Sequence, residues 1–178
     1  MPVFAVTSVG LDRPGIVAAV TGVLADQGCN LEDTAMSILR GQFAMVMIVA
    51  APEGTSADRL EASLAASAAG LDLVVTVRDV HPLAGAADMF GPRATVVVYG
   101  PDHPGIVHLV ASELAARGVN IVDVTTRVSG SGDRLYSMVM EVVLPPGIDA
   151  AALERALAGA GAADDLTVRV SPADADLL

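Results

Sequence analysis

A loop of the form Gly-x-Asp-x-Pro-Gly-Ile occurs twice in this chain, at residues 10–16 and 100–106. Its residue types suit one chemistry above others, the holding of a zwitterion. Gly15 and Gly105 lack a Cβ, so a ligand can approach the backbone there. If a helix starts at the Pro-Gly pair, its first-turn N–H groups have no intrahelical partner and carry partial positive charge, a seat for a carboxylate. Asp12 and Asp102 can accept a hydrogen bond from an ammonium. Asn30 and Asn120, just after the first helix of each copy, can both donate and accept. On these residues alone a structural role stays open: Asp can cap, Gly can terminate and Asn can brace a turn.

Other chemistry finds little support. His103 and His108 sit five apart, off the spacing that puts two imidazoles on one helical face, and His81 stands alone, so no metal site is expected. Ser37, Ser112 and Ser137 have no His–Asp partner that the sequence can place. The Gly-rich loop lacks the Gly-Lys-Ser/Thr ending of a phosphate-binding loop. Cys29 is the only cysteine, and Val119 takes its place in the second copy, which describes a small apolar position and an inert thiol. No catalytic residue and no cofactor is expected.

The elements that must position the loop also come twice. Leu24, Gly28, Asn30 and Asp33 reappear as Leu114, Gly118, Asn120 and Asp123. After a short insertion, Phe43-Ala44-Met45-Val46-Met47 is answered by Tyr136-Ser137-Met138-Val139-Met140, and Leu60-Glu61 by Leu153-Glu154. These are two copies of one module. The first reads as a strand over 3–9 and a helix opened by Asp12-Arg13-Pro14, where Asp suits the positive end of the dipole. Ile16, Val20, Val23, Leu24 and Gln27 mark one face of that helix, and Gly28 stops it. Hairpin strands over 31–39 and 42–51 turn at Arg40-Gly41. A helix capped by Ser56 and a strand over 72–80 follow. The second copy predicts strands over 93–99, 119–129, 134–144 and 166–171, with helices over 104–117 and 149–157.

The predicted fold class is therefore α+β: two ferredoxin-like βαββαβ domains, each a four-stranded antiparallel sheet with two helices on one face. The domains span 1–81 and 93–172, joined by a linker over 82–92 and followed by a fraying tail from Pro172. Strands with one wet face should alternate. Phe43, Met45, Met47 and Val49 point one way, but Ala44, Val46 and Ile48 on the other side are apolar too. Ser137 and Glu141 interrupt the matching set in the second copy. The first copy's open face is thus expected to be covered by the other copy or another subunit.

Small domains bury only about 60% of their unfolded surface, and 53% of these 178 residues are hydrophobic, so a homodimer is expected. The longest apolar run, 43–51, is about half of a membrane crossing. Met1-Pro2 leads straight into the first strand without a cleaved leader, which predicts a cytoplasmic protein. Ten Arg, no Lys and 21 acidic residues give a net charge of −11. Such a surface should repel a duplex, so direct nucleic-acid binding is not expected.

The stretch Asp12-Arg13-Pro14-Gly15-Ile16-Val17, followed by Gly28-Cys29-Asn30-Leu31, resembles the ACT domain, a small amino-acid-sensing module. The second copy resembles it equally well. Two such modules without a catalytic domain look like the glycine cleavage system transcriptional repressor family, with Gly28 to Thr34 and Gly41-Gln42-Phe43 especially similar to its first domain. The resemblance implies a ligand held between the first strand–helix loop of one module and a neighbouring module. It points to Leu11, Asp12, Gly15 and Ile16 with Asn30 and Leu31, and to Asp102, Gly105 and Ile106 with Asn120 and Ile121. The implied ligand is a small amino acid of the glycine or serine class, and the implied action is on a regulatory partner protein such as a transcriptional activator. The copies differ where Arg13 becomes His103, so the two sites need not be equivalent. A stand-alone regulatory subunit of an amino-acid or one-carbon enzyme, and a purely structural dimerisation module, remain alternatives.

Overall fold

Each half of the chain threads strand, helix, strand, strand, helix, strand. The structure, a computed structural model, describes residues 1–80, 91–130 and 134–173. The first half contains β1 (Val3–Leu11), α1 (Ile16–Asp26), β2 (Asn30–Leu39), β3 (Gln42–Ala50), α2 (Ala57–Ala68) and β4 (Leu73–Asp79). The second contains β5 (Arg93–Pro101), α3 (Ile106–Ala115), β6 (Asn120–Ser129), β7 (Leu135–Val143), α4 (Ala150–Gly161) and β8 (Thr167–Pro172). Two antiparallel sheets result, ordered β2-β3-β1-β4 and β6-β7-β5-β8. The chain divides into two compact units, Met1–Leu83 and Ala84–Leu178. His81, most of the expected linker and the hairpin tip 131–133 lie outside the described residues.

Local chemistry explains the turns. Arg40 and Gly41 both take positive φ, 51° and 80°, as a two-residue hairpin loop of type I′ requires. Ser56 caps α2 by accepting the Arg59 amide at 3.4 Å, and Asp149 caps α4 by accepting the Ala152 amide at 2.6 Å. The first helix of each copy behaves differently from expectation. α1 begins at Ile16, not at Asp12, and Gly15 rather than a side chain occupies its N-cap. The helix expected to open at Asp12-Arg13-Pro14 thus starts after that tripeptide, and Asp12 makes no capping bond to it. Pro172 also belongs to β8, and the Ala173 amide donates to the Arg93 carbonyl at 2.9 Å, so the chain is still tied where fraying was expected.

The helices bury one stripe each against the sheet. Ile16, Val20 and Leu24 of α1 and Leu60 and Leu64 of α2 pack on Phe4, Val6, Met45 and Met47. Ile106, Val110 and Leu114 of α3, with Leu153 and Leu157 of α4, repeat this over Val96, Val98, Met138 and Met140. The opposite sheet face is bare within each unit. Val9, Val46 and Val74 stay exposed on the first, whereas Arg93 and Glu141 pair across the second.

The two edges of each sheet are unlike. Glu61 accepts the outward Val77 amide of β4 at 2.7 Å, and Glu154 does the same for Val170 of β8 at 2.7 Å. A carboxylate on an edge amide blocks pairing with another strand there. The β2 edge is exposed along its whole length. The Val170 amide, helped by Arg169, holds the Glu154 carboxyl below the usual glutamate range against a smaller opposing desolvation. A lowered folded-state pKa stabilises fully above the unfolded value of about 4.3, and that contribution is lost as pH falls through the folded value. Glu154→Gln should therefore be less stable than the parent at pH 7, and the gap should close as pH falls below the usual glutamate range and through the lowered folded-state value. Thermal denaturation across that range checks this; a constant gap would contradict it.

Candidate functional site

The loop between β1 and α1 is fixed at both ends. The Asp12 amide donates to the Gly41 carbonyl at 2.8 Å, tying the loop to the hairpin turn, and the Asp102 amide makes the same bond to Arg134 at 2.9 Å. Gly10 has no room for a Cβ, which would lie 2.4 Å from the Asp72 carbonyl oxygen where β4 begins. Gly100 is hemmed in likewise by Leu166 and Asp165. The chain then reverses into the helix through Gly15 at φ 96° and Gly105 at φ 102°, with no side-chain cap in either copy. A Cβ at these two positions would meet nothing within 4 Å, so conformation and not crowding requires glycine there.

The consequence is a bare helix start. The Ala19 amide makes the first helical bond, to the Gly15 carbonyl at 2.9 Å, and Leu109 does so with Gly105. The amides of Ile16, Val17 and Ala18 precede that bond, and no side chain caps them. In front of them is an open cleft of about 520 Å³ lined by Asp12, Arg13, Gly15, Ile16, Met36 and Phe43, among others. Another cleft of about 430 Å³, lined by Asp26, Glu53, Arg59 and Ser63, has no link to the repeated loop.

Of the residues expected to bind, Asp12, Gly15 and Ile16 come together in this cleft. Leu11 ends β1 opposite Gln42 and does not line it. Asn30 and Leu31 lie elsewhere: Asn30 pairs opposite Ala50, while the loop end of the same ladder is Leu39 opposite Gln42. Nine strand residues at about 3.3 Å each put the two sets roughly 30 Å apart within one module. Asn120 and Ile121 are separated from Asp102, Gly105 and Ile106 in the same way. The expectation missed Met36 and Phe43 as lining residues; alternation gives the face of Phe43, and the pairing of Met36 with Met45 puts Met36 on the same side.

The second copy's loop is more polar. Asp102 Oδ2 lies 3.0 Å from Arg134 Nε. Tyr136 replaces Phe43, and burial, with a smaller push from the Asp102 carboxylate, raises its hydroxyl pKa while the Thr126 side chain pulls it back. His103 Nδ1 contacts the Pro104 carbonyl at 3.0 Å and its Nε2 is buried without a partner. Burial pushes the Cys29 thiol up, away from the reactive thiolate. No group of three potential metal ligands exists among the described residues, and no described helix is long and apolar enough to cross a membrane.

This fold and loop define a class. The chain matches the ACT domain family over residues 3–78 and again over 94–158, and it belongs to that family. It is 43% identical over 79 residues to a UPF0237 protein of Methanopyrus kandleri, covering 43% of this chain and 88% of that one. Similarity to the glycine cleavage system transcriptional repressor of Escherichia coli runs across both modules, at 25% identity over 154 residues, 85% of this chain and 80% of the repressor. The phosphoserine phosphatase SerB2 of Mycobacterium tuberculosis is 29% identical over 148 residues, 80% of this chain but only 34% of the phosphatase. A solved structure of an unknown protein from Galdieria sulphuraria superimposes with a TM-score of 0.80 at 25% identity, covering 97% of this chain and 98% of that one.

Since open space surrounds both left-handed glycines, substitution there should act through the backbone alone. Gly15→Ala and Gly105→Ala are each expected to lower stability by about 1–2 kcal/mol, the strain of an L-residue in the left-handed region. Urea denaturation reads this; a loss below a few tenths of a kcal/mol would show that the turn relaxes.

Proposed function

We propose that this chain is a non-enzymatic regulator that senses a small amino acid, of the glycine or serine class, at its Pro-Gly turns. The observation that carries the reading is the bare helix start: amides of Ile16 to Ala18 that no side chain caps, beside an open cleft lined by Asp12. An amino acid's carboxylate fits those amides, and its ammonium fits Asp12. Asn30 and Leu31, or Asn120 and Ile121, would close the ligand in only from a neighbouring module, because their own module holds them at the far end of the sheet. A homodimer supplies such a neighbour, and the unblocked β2 edge and bare open face suit one. Binding then alters contact with a partner protein such as a transcriptional activator. Similarity along both modules to the Escherichia coli repressor supports that direction.

A second reading has its own support. The match to SerB2 covers about a third of that phosphatase, so a chain like this could serve as a separate regulatory subunit of an amino-acid enzyme. Capture from lysate separates the two, since the first expects a transcription regulator and the second an enzyme. Calorimetry with glycine and L-serine tests the shared core. Saturable heat in the millimolar range or tighter is expected; none with any of the twenty amino acids would remove the proposal.

A further inference from the structure

The two Pro-Gly loops share a backbone but not the pairing of their charges, and this difference tells them apart as receptors. Resting on the amino-acid reading above, we propose that the loop of the first unit alone is the receptor. Arg134 closes the second loop by occupying Asp102.

Positions 41 and 134 are equivalent, since each carbonyl accepts the amide of the loop aspartate, at 2.8 Å from Asp12 and 2.9 Å from Asp102. Position 41 is glycine and contributes no side chain. Position 134 is arginine, and its Nε reaches Asp102 Oδ2 at 3.0 Å. The Asp102 side chain is only 20% exposed, so the guanidinium takes much of the face an ammonium would need. Among the described residues, neither Asp12 nor Arg13 has a salt-bridge partner, and both line the first cleft. An unpaired anion and an unpaired cation beside bare amides complement a zwitterion. In the second loop the anion is neutralised internally, and His103 takes the place of Arg13 with Nδ1 already against the Pro104 carbonyl. An incoming ammonium would have to displace a cation held by a charge-assisted bond and would meet its repulsion as well.

The floors of the two loops differ in the same sense. Met36 and Phe43 give the first an apolar base. The second has Tyr136, whose hydroxyl donates to Met138 Sδ at 3.7 Å, with Thr126 beside it. In the second loop the Asp102 carboxylate and the Tyr136 hydroxyl already have partners within the protein, although His103 Nε2 stays buried without one, whereas Asp12 and Arg13 of the first have no salt-bridge partner among the described residues.

Site-resolved NMR of the full chain titrated with glycine and with L-serine tests the assignment. The parent is expected to show saturable shifts at the amides of Gly15, Ile16 and Val17 and none at Gly105, Ile106 and Val107. Asp12→Asn, an exposed substitution that leaves the core untouched, should weaken that response at least fivefold. Arg134→Ala should add a second saturable response at Gly105 to Val107. Equal shifts at both loops in the parent, or no gain at the second loop in Arg134→Ala, would overturn the asymmetry while leaving amino-acid sensing in place. No response at either loop in any of the three proteins would overturn both.

Discussion

Everything about the site follows from one backbone constraint, the left-handed glycine at the start of the first helix in each copy. Pro14 and Pro104 set the residue before it, and the aspartate amide two positions earlier is bonded to the hairpin turn. Between those fixed points the chain must reverse from strand to helix, and only the conformation at Gly15 and Gly105 accomplishes it. An ordinary residue would be strained there by about 1–2 kcal/mol. The same turn leaves no side chain in position to cap the helix. The amides that a serine or aspartate would satisfy elsewhere are therefore left to water or to a ligand, as α2 and α4 show by contrast with their side-chain caps.

That contrast gives the fold a division of labour. The second helix of each copy is closed at its start, and its glutamate, Glu61 or Glu154, also closes the neighbouring sheet edge. Unsatisfied groups gather at the first helix and along β2. Polar capacity concentrated on one side of a small domain suits a module that meets a ligand and another subunit there, while the other side serves stability.

Much of this was legible in the residues. The repeat fixed the number of domains, the spacing of Ile16, Val20 and Leu24 gave the buried helix face, and Arg40-Gly41 announced its hairpin. The helix start reads too early in the sequence, at Asp12-Arg13-Pro14, because the left-handed turn at Gly15 delays it to Ile16. Asn30 follows the first helix closely in sequence, yet it stands at the far end of the sheet from the loop of its own module. An eleven-residue helix carries the chain about 16 Å away, and sequence spacing does not say to which end of a sheet the chain has been delivered. Gly10 was part of the motif, yet its reason, the close approach of the Asp72 carbonyl, is a tertiary contact. Arg134 could have been found by aligning the copies across their hairpins, where it stands opposite Gly41.

Amide hydrogen exchange at the helix starts tests the central claim most directly. In the free protein the amides of Ile16, Val17 and Ala18 should exchange nearly unprotected while Ala19 is protected, and an added amino acid should slow the first three. Amides already protected without ligand would mean that the turn is capped after all, and the receptor would have no seat.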